Sequence, residues 1–194
     1  MNALYPSRIL PAILALLLPA ALIAAPGALD YRLDASNSDV RAKVAFFGLA
    51  SKTARFPRMD GRVTIVPGSP KDAVVNVTFD AAAIEAPDAT TLERLRGEKF
   101  FWVERHPRIR FSGRSLSMAS PTRGTITGEL TARGVTRIET LDVTFASDPA
   151  ARSGKPVSFT GSMAIDRRDY GMNSYQLIVG NTVDINLRAR MVPQ

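Results

Sequence analysis

Between Thr125 and Phe145 the chain reads TITGELTARGVTRIETLDVTF, a pattern that leaves little choice of local structure. Ile126, Gly128 and Leu130 alternate with Thr125, Thr127, Glu129 and Thr131. After Arg133-Gly134 the alternation resumes, with Leu141, Val143 and Phe145 set against Asp142 and Thr144. Period two sends one face to an apolar core and the other to water, as half-buried strands do, and a Gly at the reversal supplies the positive φ of a tight hairpin turn. Much of the remaining chain repeats this pattern.

Tyr31 and Leu33 begin a short strand, and Asn37-Ser38-Asp39 marks a turn. Val40, Ala42, Val44 and Phe46 then face one way, with Arg41 and Lys43 opposite. Extended chain resumes from Lys52 to Phe56. An Asp60-Gly61 turn is expected, followed by strands at Val63/Ile65 and at Val75/Val77/Phe79 around a Pro67-Gly68-Ser69-Pro70 loop. One short helix fits, with Thr90 and Glu93 spaced as a capping box, Asp88 near its positive end, and Gly97 stopping it. Lys99 to Val103 is the most aromatic stretch. Three adjacent aromatics cannot share one face, so at least one plugs a barrel end or packs beneath the helix. Ile109 and Phe111 open a strand that Ser112-Gly113 is expected to bend. Beyond the hairpin, Val157 to Ile165 and Val183 to Met191 alternate again, separated by Asp166-Arg167-Arg168-Asp169, read as a turn with a local ion network.

Strands outnumber helices so heavily that the fold is all-β, an antiparallel barrel or a sandwich. A membrane barrel is excluded because the polar strand faces carry Arg41, Lys43, Arg108, Arg110, Arg188 and Arg190, which cannot face lipid. The apolar faces therefore point inward.

Residues 1–28 do not belong to this domain, which is expected to span 29–194. Arg8 precedes an uncharged apolar run from Ile9 to Ile23, and Ala24-Ala25-Pro26-Gly27-Ala28 supplies small residues for cleavage, so the segment reads as a secretory signal peptide. Pro11 and Pro19 interrupt the run and leave it short of the roughly 20 residues of a membrane span. Its removal takes away Arg8 and no acid, lowering the net charge from +7 to +6. An exported basic protein is not placed to meet nucleic acid, and its positive charge suits transient contact with anionic head groups or an envelope membrane protein. The alternative is that scattered arginines merely solvate the strand faces. With no cysteine there is no disulfide or thiol chemistry, and the fold must hold by burial and backbone pairing.

Three fragments together resemble the YceI-like family of periplasmic lipocalin-like barrels that bind polyisoprenoid lipids. They are Ile126 to Thr136 with Leu141-Asp142-Val143, Leu95-Arg96 followed by Phe100-Phe101, His106-Pro107 and Phe111, and Asp166-Arg167-x-Asp169-Tyr170-Gly171. The likeness starts at Asp30-Tyr31-x-Leu33-Asp34 and covers nearly the whole mature chain. It implies an up-and-down barrel of about eight strands with one short helix, located in the periplasm and holding a long isoprenoid chain of quinone or polyprenyl type. Where family members often carry histidines, this chain has Asn37, Phe46, Arg94 and Arg133, and Ala54 replaces a Gly, so roles of those histidines do not transfer.

Such a ligand needs a dry apolar tunnel. The candidate lining residues are Val40, Val44, Phe46, Phe56, Val63, Ile65, Val77, Phe79, Ile109, Phe111, Ile126, Leu130, Val143 and Phe145. The competing reading is that they fill a solid core, since barrels of about eight strands can be packed by side chains alone. Arg94 and Arg96 are candidates for a phosphate or quinone head group, against the alternative of a solvated helix face. His106 is the sole histidine, and no nucleophile, paired acid–base or metal motif accompanies it. The expectation is a binding protein without cofactor or metal, against an enzyme acting on the lipid or an empty barrel that docks on a membrane protein.

Overall fold

The computed structural model describes residues 27–149, 151 and 154–194. All but the last two residues of the expected signal peptide lie outside them. The chain order is β1 (Leu29–Leu33), β2 (Asp39–Phe46), β3 (Ala50–Arg55), β4 (Met59–Ile65), β5 (Val74–Asp80), α1 (Ala89–Arg96), β6 (Arg108–Ser120), β7 (Arg123–Ala132), β8 (Val135–Phe145), β9 (Val157–Asp166) and β10 (Val179–Pro193).

These strands make one antiparallel sheet in the order β1-β4-β5-β6-β7-β8-β9-β10-β2-β3, and pairing of β1 with β10 closes it into a barrel. Long β10 serves two neighbours on one edge, β1 along its last residues and β2 along Val179–Arg188. β3 pairs with β2 as β4 pairs with β1, so the first two staves of an eight-stranded up-and-down barrel are each broken in two. The first break is the turn at Ala35–Asn37, where the Asp34 carboxylate accepts from Ser36, Asn37 and Arg190. The second falls at Phe56-Pro57-Arg58, where proline has no N–H to give a ladder.

The β7–β8 hairpin forms as its alternation requires. Ala132 faces Val135 across the Arg133-Gly134 turn, and both turn residues have positive φ (50° and 75°), the two-residue geometry that suits strand twist. Gly113 of β6 faces Gly128 of β7; a Cβ at Gly128 would lie 2.6 Å from the Gly113 Cα, so the two strands cross at a distance only glycine allows.

Three local expectations are corrected. Asp60-Gly61 lies within β4, Gly61 facing inward against Leu33 and Val77. The irregularity of β6 falls at Ser115, whose φ of 66° accommodates a register shift between Arg114 and Leu116, and not at Ser112-Gly113. Asp88, not Thr90, caps α1: its carboxylate accepts the Thr91 N–H at 2.8 Å. Arg41, Lys43, Arg188 and Arg190 lie on the adjacent β2 and β10, whereas Arg108 and Arg110 lie on β6, four strands around the ring from β10.

Candidate functional site

Burial along the inward faces changes from one end of the barrel to the other. At the end where β1 meets β10, Tyr31, Val157 and Met191 are each 1% exposed and pack the barrel shut. Further along the same strands, Val183, Ile185 and Leu187 of β10, Phe159 and Met163 of β9, and Ala42, Val44 and Phe46 of β2 also point inward, yet each keeps accessible surface. An inward side chain that remains accessible borders empty space. That space is a cavity of about 370 Å³, within the range of roughly 300–1,000 Å³ usual for ligand sites.

The wall includes Val40, Val44, Phe46, Phe56, Val63, Ile65, Val77, Phe79, Ile109, Phe111, Ile126, Leu130 and Phe145 from the sequence candidates. Val143 is buried in the barrel wall but does not line the space. Arg94 stands at the cavity, while Arg96 borders a separate shallow depression beside Pro57 and Leu92. The aromatic stretch divides: Phe100 and Phe101 face the cavity, Phe101 edge-on to Phe56, while Trp102 turns toward His106, Arg105 and Arg133. Among the described residues no group of three or more His, Cys, Asp or Glu side chains is placed to hold a metal ion.

Polar groups reach the cavity in two places. At the mouth are Lys52 and Thr53 of β3 with Asp88, Thr90, Thr91 and Arg94 of the α1 region. β3 is the last strand of the sheet; beyond the single Arg55–Glu85 bridge its outer edge faces this helix rather than a strand. Lys52 Nζ spans the gap to Asp88 Oδ2 at 2.7 Å. The Lys52 hydrogen bond, then the Thr91 N–H and hydroxyl, hold the Asp88 carboxyl down at about 2. One aspartate thus caps the helix and ties it to the barrel.

The second place is Arg167, 2% exposed and bordering the cavity. The expected ion network at this turn is only half present. Arg168 pairs with Asp166 at 2.5 Å, but Arg167 turns inward and donates to the carbonyls of Met172, Ser174, Val179 and Gly180 and to Asn181 Oδ1. Its whole donor fork is spent holding the loop before β10. Burial lowers the Arg167 pKa from its ordinary value, the Asp166 charge opposing that fall.

A sequence model of the YceI-like domain matches residues 31–191. The chain belongs to the YceI-like domain family. The YceI-like match spans the closed barrel from β1 to the packed end of β10. A UPF0312 protein of Ectopseudomonas mendocina is 25% identical over 189 residues, covering 94% of this chain and 98% of the relative. One from Shewanella denitrificans is 27% identical over 162 residues, 81% and 82% of the two chains. Among solved structures, Burkholderia cenocepacia BcnA superposes with a TM-score of 0.73 at 21% identity, covering 81% of this chain and 98% of that one. A domain from Saccharophagus degradans, described as polyisoprenoid binding, gives 0.63 at 14% identity over 86% and 99%. At these identities the two structures establish the lipocalin-like barrel fold.

Within this YceI-like barrel, sequence reasoning missed cavity residues of two kinds. Phe159, Met163, Val183, Ile185 and Leu187 had the right alternation and were legible as inward strand faces. Met172, Tyr175 and Ile178 come from an irregular loop with no periodicity to betray them.

Proposed function

We propose that this protein is a periplasmic carrier or store for a long isoprenoid lipid, of quinone or polyprenyl type, whose chain lies in the barrel cavity. The observation that carries the reading is the open space bordered by inward apolar side chains, since a filled core would leave them inaccessible. The family, and the polyisoprenoid-binding description of the Saccharophagus domain, support the choice of lipid. Burying each five-carbon unit gains roughly 4 kcal/mol gross at about 0.8 kcal/mol per carbon, so a few units exceed an association cost of about 4–15 kcal/mol. Two of the charged groups at the cavity are held in structural bonds, Lys52 with Asp88 and Arg167 with backbone carbonyls, which supports binding rather than catalysis. Periplasmic location follows from the signal peptide read in residues 1–28.

The test is a titration of delipidated protein with prenyl alcohols of increasing length. Affinity rises steeply with each added unit and levels off once the cavity is full. Affinity independent of chain length would contradict the proposal.

A further inference from the structure

Three of the four large apolar side chains left most exposed among the described residues gather at the mouth of the cavity. Phe47 and Leu49 occupy the β2–β3 turn and Leu177 the loop before β10; they are 63%, 101% and 100% exposed. The two segments are one structure, because the Phe47 N–H donates to the Ile178 carbonyl at 2.8 Å. Directly behind this lip, Phe46, Ile178 and Val179 line the cavity.

Folding gives little reason for the composition of the lip, where the Phe47 ring stands edge-on to Phe46 at 4.7 Å and Leu49 and Leu177 remain fully exposed. Phe47 has φ of 52°, a left-handed conformation that Gly or Asn adopts readily and a bulky residue rarely does, and its ring gains little burial in return. Cations stand beside it. The Arg94 guanidinium and the Lys99 ammonium lie 5.4 Å and 5.3 Å from the ring of Tyr175, on the same loop as Leu177. Neither has a carboxylate partner among the described residues. Apolar tips flanked by free cations match the layering of an anionic membrane surface, acyl chains beneath phosphates.

We propose that this lip is a membrane-docking surface: Phe47, Leu49 and Leu177 insert into the interfacial zone of an anionic phospholipid bilayer while Arg94 and Lys99 meet its phosphates. The cavity mouth is thereby brought to the acyl region, and a lipid passes between bilayer and barrel without crossing water. The purpose of docking rests on the lipid-carrying function proposed above; the docking itself does not.

The test is co-sedimentation of the mature protein with phosphatidylcholine vesicles, with and without phosphatidylglycerol. The triple variant Phe47→Asn/Leu49→Asn/Leu177→Asn keeps a turn that tolerates positive φ and loses partitioning by at least about tenfold. Ile138→Asn, an equally drastic change at an exposed Ile on the outward face of β8, three strands around the ring from β2, leaves partitioning unchanged. Arg94→Gln/Lys99→Gln abolishes the preference for phosphatidylglycerol. Binding of farnesol, a short prenyl alcohol, measured without vesicles, reads the cavity separately, and the triple variant, none of whose three residues lines the cavity, retains it. Wild-type levels of vesicle binding by the triple variant overturn the proposal, as does an equal loss from Ile138→Asn. So does failure of the wild type to bind vesicles, and so does loss of farnesol binding by the triple variant, which would make Phe47, Leu49 and Leu177 part of the cavity. A wild type that binds vesicles but not farnesol upholds the docking surface and overturns the lipid-carrying function.

Discussion

Ile185 is the residue at which a hollow barrel and a filled one differ most plainly. It lies mid-strand on β10 between Ala42 and Met163, points inward, and borders the cavity. Ile185→Trp adds bulk where there is room for it, so the delipidated protein keeps its denaturant midpoint while ligand binding falls. In a filled core the same change would cost roughly 1–3 kcal/mol. Asn186→Trp, one residue along and outward, should alter neither, because successive strand residues point to opposite faces. Tyr170 makes a second prediction. Its hydroxyl donates to Glu139 Oε1 at 2.7 Å, and burial first, then that carboxylate, push the phenol well above its ordinary range. A raised folded pKa gives stability that is complete below the unfolded phenol value of about 10 and is lost as pH rises beyond it. Tyr170→Phe should therefore lower stability near pH 7 by about 1 kcal/mol and flatten the alkaline fall; an unchanged alkaline slope in chemical denaturation would contradict this. Period-two alternation made most of the cavity wall legible, Ile126 and Leu130 among it, because it reports which face is buried. It reports nothing about how far across the barrel a side chain reaches, and so could not place Val143 off the cavity or Arg167 beside it.

At the scale of elements, α1 is the piece least like the rest. None of its residues is buried, and the ties that hold it over the β3 edge include the Asp88–Lys52 pair. Asp88 titrates at about 2, below its ordinary value, so its contribution is present above about pH 4 and fades as pH falls toward 2. Amide exchange in α1 should accelerate over that window. Asp88→Asn retains a capping side chain but removes the charge that faces Lys52, whereas Asp88→Ala removes both. Stopped-flow release of a bound prenyl probe should be faster for Asp88→Asn than for wild type and fastest for Asp88→Ala; three equal rates would contradict a latch at the mouth. The helix itself is legible from its Gly97 stop and acidic start, but the capping-box spacing of Thr90 and Glu93 points two residues past the true cap, Asp88. The broken staves β1/β2 and β3/β4 read as four short strands, because local pattern does not say that two strands share one neighbour.

Across the whole molecule the two ends of the barrel differ in kind. One is packed around Tyr31, Val157 and Met191, and β1 begins there at Leu29. The other is open, lined by mouth and lip. Strand number and inward apolar faces led to a barrel or a sandwich and the family resemblance to the barrel, but hollow against filled was not legible, since both share one pattern of alternation and differ only in whether side chains from opposite walls touch. The decisive measurement is mass spectrometry of an organic extract of the protein purified without detergent from cells that make isoprenoid lipids. A carrier yields one prenyl lipid per chain, lost from Ile185→Trp and retained by Asn186→Trp. No prenyl lipid in the wild-type extract, or equal amounts from both variants, would contradict a lipid held in the barrel.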